Sequence, residues 1–280
     1  MDGIILIDKE KGITSRDVVN KVSKKIGIKK VGHAGTLDPL ATGLMVLGVG
    51  KGTKILELLT MDKKEYIATV KIGIQTDTLD ITGNIIKENY NYKISKTDIE
   101  KSLKSFLGTY EQTVPKYSAL KINGKRLYEY ARNNEEVDLP KRLVNIYEIE
   151  LLDFNLEKQE FSFRTLVSKG CYIRSLINDI GLLLNIPMTM SDLKRTKCGK
   201  FNLSEASKTD DKYNLISIQD SLDFKIMEIK DLDLLKKIKN GNIVNIDEES
   251  PYITFIDKDK NILAIYEKNK KLEFKAFKVF

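Results

Sequence analysis

One short segment combines a carboxylate and an imidazole with several residues that bend the backbone. It runs from Gly32 to Gly43 (GHAGTLDPLATG) and contains Asp38, followed by a proline, and His33, the only histidine of the chain. An Asp with glycines nearby and a proline after it has a restricted backbone and exposed oxygens. Asp38 is therefore a candidate nucleophile, general acid or general base, or only the acceptor of an Asx turn. We predict a loop that presents both side chains, not a stretch of core.

Length and composition predict a globular protein. The chain has 280 residues, of which 41% are hydrophobic, so we expect one large domain or a main domain with a small appendage. The apolar run near the start, Ile4 to Ile7, is too short for a signal peptide or a transmembrane helix. The two cysteines have no framework spacing. Together these features predict a cytoplasmic protein that does not bind membranes.

The charge pattern favours a polyanionic partner, and the residue types exclude several cofactors. The net charge is +7, and basic residues recur in clusters on both sides of the loop. One histidine and two distant cysteines exclude the multi-histidine zinc and iron sites. The chain also lacks a Walker-type phosphate loop and a GxGxxG motif. We predict that the protein uses no metal and no cofactor.

Regular elements are predicted on both sides of the loop. Residues 4–7 form a short buried strand, and a helix begins near Thr14 and ends at Gly27. Residues 44–49 form an apolar strand directly after the loop. Residues 66–74 alternate as another strand, with the even-numbered side chains on one face.

The middle of the chain predicts three more helices, a strand and an insertion that contains the shortest of these helices. A capping box at residues 97–100 begins a helix that runs to Gly108. Residues 113–142 are polar and basic and suggest an excursion from the core, with a short helix near residues 126–132. Residues 161–167 alternate as a strand, and the helix after them runs from about residue 173 to Gly181.

The last part of the chain predicts a separate small β domain. Residues 204–214 lack a pattern and suggest a linker. A short helix is expected at Leu232–Lys239, followed by strands at Tyr252–Ile256 and Ile262–Tyr266, which a charged turn joins.

Five stretches of the chain resemble, in the same order, the motifs of the tRNA pseudouridine synthase B family. The Gly32–Gly43 segment is similar to the catalytic motif, and the resemblance covers roughly residues 3–201. A single motif is weak evidence, but five in the expected order are not a chance match. The other four are Lys9–Ser15; Lys64–Tyr66 leading to Thr76–Thr78; Pro115–Lys121 with Gly124–Arg132; and Ser168–Arg174 followed by Leu193–Arg195 and Gly199–Phe201.

The resemblance implies an α+β fold and two domains. Residues 1–210 would form the pseudouridine synthase catalytic domain, with a mixed, mainly antiparallel central sheet flanked by helices. The insertion at about residues 113–142 would clamp RNA, through Lys116, Lys121, Lys125, Arg126 and Arg132. Residues 229–280 resemble a PUA-type RNA-binding barrel in position, size and strand content, although only Lys239–Asn242 is similar in sequence.

The activity implied by the resemblance is isomerisation of a uridine to pseudouridine in the T-loop of tRNA, at position 55 of the conventional tRNA numbering. The base is detached from its sugar, rotated and rejoined through carbon, which requires no metal, nucleotide or redox cofactor. The implied partner is the T-arm of tRNA, and nothing in the sequence demands more than a monomer.

Catalytic roles carry over to three residues. Asp38 would be the nucleophile, and attack at C6 of the base, attack at C1′ of the ribose and a glycal route all remain open. Arg174 matches the arginine that pairs with this carboxylate. Tyr66 matches the tyrosine that stacks on the target base and accepts or relays a proton.

Binding and support roles carry over to four more residues. Tyr172 and Leu193 match positions that line the uracil pocket. His33 matches the residue that inserts where the target nucleotide leaves the T-loop stack, so it would serve binding and not proton transfer. Lys9 would support the loop.

Three other functions stay open on the sequence. The chain could be an RNA-binding module without activity, or a nucleoside or glycoside hydrolase that uses Asp38 with Asp77 or Asp80 as the second carboxylate. It could also be an RNA chaperone, a role compatible with catalysis. The basic clusters and the long basic insertion argue against the hydrolase, and Asp38, Tyr66 and Arg174 argue against the inactive module.

Overall fold

A computed structural model describes residues 1–60 and 63–280 of the chain. Its helices are α1 (Ser15–Ile26), α2 (Leu56–Thr60), α3 (Lys96–Ser105), α4 (Leu127–Arg132), α5 (Ile173–Leu184) and α6 (Leu232–Lys239). Its strands are β1 (Gly3–Lys9), β2 (Val31–His33), β3 (Thr42–Val49), β4 (Lys64–Ile72), β5 (Ile74–Thr76), β6 (Ile85–Glu88), β7 (Gly108–Thr113), β8 (Lys121–Ile122), β9 (Lys125–Arg126), β10 (Lys141–Asn155), β11 (Glu160–Val167), β12 (Met188–Cys198), β13 (Phe201–Asn202), β14 (Ser207–Lys208), β15 (Leu215–Ile216), β16 (Lys225–Glu228), β17 (Val244–Asn245), β18 (Tyr252–Ile256), β19 (Ile262–Lys268) and β20 (Glu273–Val279).

A mixed sheet of 11 strands forms the centre of the molecule. Its main path runs in the order β14, β1, β3, β12, β4, β11, β10, β7, and β2, β13 and β15 pair at its sides. In the part of the chain that the structure describes, β1 with β14 and β3 with β12 are this sheet's parallel pairs, and its other pairs are antiparallel. The predicted α+β fold with a mixed, mainly antiparallel sheet is confirmed.

The sheet is buried on both faces, which explains the continuous apolar run of β1. Ile5 and Ile7 lie in the core cluster that includes side chains of α1, α3 and α5. Ile4 and Leu6 point to the opposite cluster, which reaches Leu222 and the last part of the chain. A strand covered on both faces loses the apolar–polar alternation of a half-exposed one.

Helix α1 forms as predicted. The Thr14 side chain accepts a hydrogen bond from the backbone N–H of Asp17, and Gly27 ends the helix in the left-handed conformation with φ 70°. Val18 and Val22 lie on its buried face.

Helix α3 begins earlier than predicted, so the capping box at residues 97–100 is wrong. Ser95 caps the helix and pairs with Asp98, whose backbone N–H donates to the Ser95 hydroxyl. The helix also ends at Ser105, before Gly108, and Leu107 is exposed. Two overlapping Ser/Thr-x-x-Asp/Glu patterns compete here, and the one that starts at Ser95 forms.

Two glycines act differently from the prediction. Helix α5 runs past Gly181 to Leu184. A side chain at Gly181 would lie 2.7 Å from the carbonyl oxygen of Ile186, so this glycine lets the chain after the helix pack closely against it and does not end the helix. Conversely, Gly73 (φ 95°) interrupts the strand predicted over residues 66–74, so that β4 and β5 are separate strands.

The segment predicted as a linker, residues 204–214, is part of the central sheet. Within it, Ser207 pairs with Ile7 of β1, and Leu215, directly after it, pairs with Ile5. These strands are only two residues long, too short for a side-chain pattern to show in the sequence. The linker prediction is therefore wrong.

The predicted excursion leaves the sheet between two neighbouring strands. Thr113 at the end of β7 pairs with Lys141 at the start of β10. Between them the chain forms the β8–β9 hairpin and helix α4, which begins at Leu127 as expected. We call residues 113–142 the insertion.

The C-terminal part forms a second sheet of five strands, in the order β16, β18, β19, β20, β17, with α6 beside it. The predicted helix at Leu232–Lys239 and the strands at Tyr252–Ile256 and from Ile262 are confirmed. This sheet packs against the first part of the molecule, because Ile265 belongs to the same cluster as Ile4 and Leu6. No helix within the described residues is long and apolar enough to span a membrane.

Candidate active site

The loop that presents Asp38 lies between β2 and β3 and is held from below by two buried side chains. Ser15, the first residue of α1, both donates to the carbonyl of Leu37 (2.9 Å) and accepts from its N–H (2.8 Å). The ammonium group of Lys9, which has no exposed surface, donates to the carbonyls of Pro39 (3.2 Å) and Ala41 (2.6 Å). The backbone on both sides of Asp38 is therefore fixed.

Arg195 holds the other end of the loop. It is 1% exposed, and its guanidinium donates to the carbonyls of Gly35 (3.2 Å), Thr36 (3.3 Å) and Leu44 (2.7 Å). Arg195 lies on β12, in register with Gly43 of β3. A side chain at Gly43 would lie 2.3 Å from the Arg195 carbonyl oxygen, so only glycine permits this approach.

The Asp38 carboxylate faces the guanidinium of Arg174. The loop carries Asp38, and the start of α5 carries Arg174. Nε of Arg174 lies 2.9 Å from Oδ2 of Asp38. The arginine side chain is 5% exposed, whereas that of Asp38 is 41% exposed. The carboxylate is therefore open to a substrate on one side and fixed by a buried cation on the other.

The remaining nitrogens of Arg174 are already bound. Nη1 donates to the carbonyl of Thr78 (3.0 Å), and Nη2 donates to the carbonyl of Tyr117 (2.9 Å) in the insertion. Nη1 also lies 4.0 Å from Oδ2 of Asp80, a buried carboxylate whose other oxygen accepts from Thr78 and Thr82. These contacts fix the orientation of the guanidinium.

The two aspartates considered as a second carboxylate thus lie in different places. Asp80 is behind Arg174 and within the same charge cluster as Asp38. Asp77 is a turn residue, whose carboxylate accepts from the backbone N–H (2.9 Å) and the side chain of Asn84.

A cavity of about 200 Å³ opens above Asp38. This volume lies below the roughly 300–1,000 Å³ of pockets for drug-sized ligands, which suits a single planar ring. The cavity brings together five of the residues predicted for the site: Asp38, Tyr66, Tyr172, Arg174 and Leu193.

The phenol of Tyr66 is buried at the back of the cavity. Burial raises the pKa of Tyr66, while the nearby Arg195 guanidinium, which hydrogen-bonds the phenol, lowers it by less. The phenol therefore stays protonated at neutral pH. The lining residue Cys171 is also protonated, because burial raises its pKa to about 12, so it is not a thiolate nucleophile at neutral pH.

Tyr172 is fixed by a residue on an adjacent strand. Gln112 on β7 has no exposed surface, and it accepts from the backbone N–H of Tyr172 (2.8 Å) and donates to its carbonyl (3.1 Å). Because Tyr172 caps the start of α5, the same two hydrogen bonds also locate Arg174, two residues further along.

His33 and Lys9 lie beside the cavity and not among the residues that line it. Nδ1 of His33 accepts from the backbone N–H of Gly35 (3.3 Å), and the imidazole is half-buried. Burial, followed by the positive charges of Arg16 and Arg195, lowers the pKa of His33. The imidazole is therefore neutral at neutral pH.

Three residues that shape the site were not singled out from the sequence. Arg195 and Ser15 lie inside motif stretches but have no distinguishing neighbour. Ser15 binds both backbone groups of the distant Leu37, and Gln112 binds both backbone groups of Tyr172 in addition to the hydroxyl of Tyr110. Side chains that bind distant backbone leave no local pattern. Among residues 1–60 and 63–280 there is no cluster of three or more His, Cys, Asp or Glu side chains that could hold a metal ion.

Comparison with known proteins connects this geometry to a family. The model of the "TruB family pseudouridylate synthase (N terminal domain)" matches residues 23–173. The chain is 40% identical to the tRNA pseudouridine synthase B of Bacillus cytotoxicus, over 97% of this chain and 94% of that protein. It is 41% identical to the protein of the same name from Staphylococcus aureus, over 100% and 99%, and 38% identical to that of Mesoplasma florum, over 98% and 96%.

Solved structures share the fold. A Cbf5–Nop10–Gar1 complex contains a chain with a TM-score of 0.72 and 22% identity, covering 99% of this chain and 84% of that one. An H/ACA RNP bound to a substrate RNA containing 2′-deoxyuridine contains a chain with a TM-score of 0.71 and 21% identity, with the same coverage.

Proposed function

The chain belongs to the TruB family of pseudouridylate synthases and isomerises uridine to pseudouridine in tRNA, and we propose that its target is uridine 55 in the T-loop and that Asp38 is the nucleophile. The reaction breaks the bond between N1 of uracil and C1′ of the ribose and forms a bond from C5 to C1′. C5 loses its proton and N1 takes one up from solvent, so the product is an isomer of the substrate. The reaction needs a carboxylate that assists cleavage of the glycosidic bond and a pocket in which the free base can turn.

The observation that carries the proposal is the pair formed by Asp38 and Arg174 at the mouth of a base-sized cavity. A carboxylate that is fixed by backbone contacts and aimed by a guanidinium gains from proximity to the bound nucleotide. Attack at C6 of uracil, attack at C1′ and a glycal route all use a carboxylate in this place. Asp80 supports the pair from behind, through its charge on Arg174.

The cavity walls support roles for three further residues. Tyr66 and Tyr172 offer aromatic surfaces for the uracil ring, and Leu193 offers an apolar contact. Because the phenol of Tyr66 stays protonated, it suits stacking and hydrogen-bond donation better than abstraction of the C5 proton.

His33 fits the role of a wedge that fills the place of the extruded nucleotide. An enzyme that works on the glycosidic bond must take its target base out of the stack, which costs a few kcal/mol. A neutral, half-buried imidazole next to the cavity can stack on the bases that remain and lower this cost. Lys9 contributes indirectly, by fixing the loop backbone at Pro39 and Ala41.

The RNA-binding surfaces that we propose are the insertion and the C-terminal sheet, which together receive the T-arm. Lys116 and Lys121 of the insertion are exposed, as phosphate contacts require, whereas Lys125 lies 2.6 Å from Glu135 and is less available. We propose a PUA-like role for the five-stranded C-terminal sheet, a monomeric protein and a cytoplasmic location.

The domain division that we propose differs from boundaries at residues 210 and 229. The pairing of β15 with β1 extends the catalytic domain to at least Ile216. The pairing of β16 with β18 starts the C-terminal domain by Lys225.

Family membership decides between the earlier alternatives. It removes the hydrolase and the inactive RNA-binding module, since the homologues of this chain are tRNA-modifying enzymes by name. A role in folding tRNA stays a prediction that is compatible with catalysis.

The test is incubation of unmodified tRNA with the protein, followed by mapping of pseudouridine. We expect product at position 55, no product with Asp38→Asn, and tRNA affinity of that variant within a few-fold of wild type. Asp153→Asn, an exposed aspartate on β10, is the matched control and should keep the activity. Activity in the Asp38→Asn protein would refute the nucleophile, and product elsewhere in tRNA would refute the T-loop target.

A further inference from the structure

Arg142 lies just outside the cavity and is held over one of its walls. Its guanidinium carbon is 5.7 Å from the ring centroid of Tyr172. A side chain at Gly170 (φ 80°) would lie 2.9 Å from Nη1 of Arg142, so this glycine leaves the space that the guanidinium occupies. The arginine thus has a defined place, against an aromatic ring and a bare stretch of backbone.

Hydrogen bonds tie the backbone that carries Arg142 to the backbone that carries Tyr172. Arg142 lies on β10, opposite Gln112 of β7, and Gln112 binds both backbone groups of Tyr172. A second tie joins β10 to the turn before Tyr172, because the backbone of Asn145 exchanges hydrogen bonds with Ser168. The backbone segments that carry the ring and the guanidinium are therefore fixed relative to each other before any RNA binds.

The charge of Arg142 has no counter-ion among the residues that the structure describes, since no carboxylate oxygen lies within 4.0 Å of its nitrogens. The other arginines near the sheet are bound differently. Arg164 pairs with three glutamates, Arg174 pairs with Asp38 and binds two backbone carbonyls, and Arg195 binds backbone carbonyls. Arg142 is half-buried beside the Tyr172 ring, and its donor nitrogens remain available.

We propose that Arg142 binds a backbone phosphate next to the target uridine, one that stays outside when the base enters the cavity. This inference rests on the proposed function, since it assumes that the extruded base lies against Tyr172. A guanidinium stacked on a ring presents its edge in a plane, and that edge matches two phosphate oxygens. The contact would hold the RNA backbone in the conformation in which the target base is extruded.

The experiment measures binding of a T-arm stem-loop RNA by the Asp38→Asn protein, with and without Arg142→Gln, between 50 and 200 mM salt. One phosphate contact in a single strand contributes about 0.7 to the slope of log affinity against log salt. We expect Arg142→Gln to weaken binding about three- to fivefold at 50 mM salt, and the penalty to shrink about 2.6-fold at 200 mM. Arg142→Lys, which keeps the charge, should lose less than the Gln variant.

A matched control and a modified RNA identify the contact. Lys158→Gln removes an exposed cation in the turn between β10 and β11, at the opposite end of β10 from Arg142, and should change neither affinity nor salt slope. With methylphosphonates placed singly on the two sides of the target uridine, the Arg142→Gln penalty should vanish for one of the two RNAs.

Three results would overturn the inference. They are unchanged affinity and salt slope in Arg142→Gln, a penalty that does not depend on salt, and a penalty that persists with both methylphosphonate RNAs. The second result would mean that Arg142 stacks on a base and does not bind a phosphate. The third would mean that Arg142 only supports the ring of Tyr172. Because the assay reads binding, these results are independent of whether wild type forms pseudouridine at position 55, which the mapping experiment decides.

Discussion

Arg174→Lys tests whether the fixed guanidinium orients the carboxylate of Asp38, the proposed nucleophile. A lysine can keep the positive charge near Asp38, but one ammonium group cannot replace three nitrogens that point at Asp38, Thr78 and Tyr117. If the ammonium stays with Asp38, both carbonyls lose a charged donor. Each such bond contributes about 1.5 kcal/mol, so the free energy of unfolding of the variant should be about 3 kcal/mol lower than that of the wild type.

The expected effect on rate follows from the position of the carboxylate. Misplacement of a reacting group by about 1 Å costs about 10²-fold, equivalent to about 2.7 kcal/mol of activation free energy. We therefore expect the single-turnover rate of Arg174→Lys to fall about 10²-fold or more, while tRNA affinity stays within a few-fold. The measurement is release of tritium from C5-labelled uridine in tRNA at saturating protein, so that binding does not limit the rate.

The control for this experiment is Arg164→Lys. Arg164 is a partly exposed arginine bound to Glu65, Glu148 and Glu150, and it does not line the cavity. Its replacement should leave the rate within a few-fold of wild type. A rate of Arg174→Lys within tenfold of wild type, in protein shown to be folded by its urea midpoint, would refute the argument that the guanidinium contacts aim Asp38.

Two further predictions concern stability. Burial lowers the pKa of Lys9 to about 8, below its ordinary 10.5, so the unfolded chain binds the proton more tightly and stability should rise with pH between these values. Relative to Lys9→Met, the wild-type unfolding free energy should increase by about 2 kcal/mol between pH 7.5 and 9.5 in urea titrations, and a flat difference would contradict the shift. Gly43→Ala should cost several kcal/mol more than Gly108→Ala in the same assay, because both positions have φ above 90° but only Gly43 faces an atom, the Arg195 carbonyl at 2.3 Å. Equal costs for the two variants would show that backbone strain, and not this contact, requires the glycine.

The sequence predicted those elements whose signals are local. Helix α1 has its cap at Thr14 and its stop at Gly27, and helix α6 has the predicted bounds, because caps and apolar periodicity act within a few residues. The errors arise where distant contacts decide. Gly181 reads as a helix stop but serves close packing against Ile186, and the short strands β14 and β15 exist only because β1 offers them backbone partners.

The candidate site shows the same difference between local signals, which the sequence reveals, and distant contacts, which it does not. Asp38 and His33 stand out by residue type and spacing, whereas the pairing of Asp38 with Arg174 was available only from family resemblance, since 136 positions separate them. The side chains that make the loop rigid, Ser15 and Arg195, bind carbonyl and amide groups that every residue possesses. The type of the residue whose backbone takes part in such a hydrogen bond therefore gives no sign of the contact in the sequence.

The insertion leaves the central sheet after Thr113 of β7 and returns at Lys141 of β10, and these two residues are paired with each other. Its length and sequence can therefore drift during evolution without moving a strand, because loop closure costs only about 0.6 kcal/mol for each doubling of length. The exception is the short run up to Tyr117, whose carbonyl accepts a hydrogen bond from Arg174. Beyond Tyr117, changes in the proposed RNA-binding part of the insertion leave Arg174 in place, whereas a change in the run before Tyr117 moves the partner of Arg174.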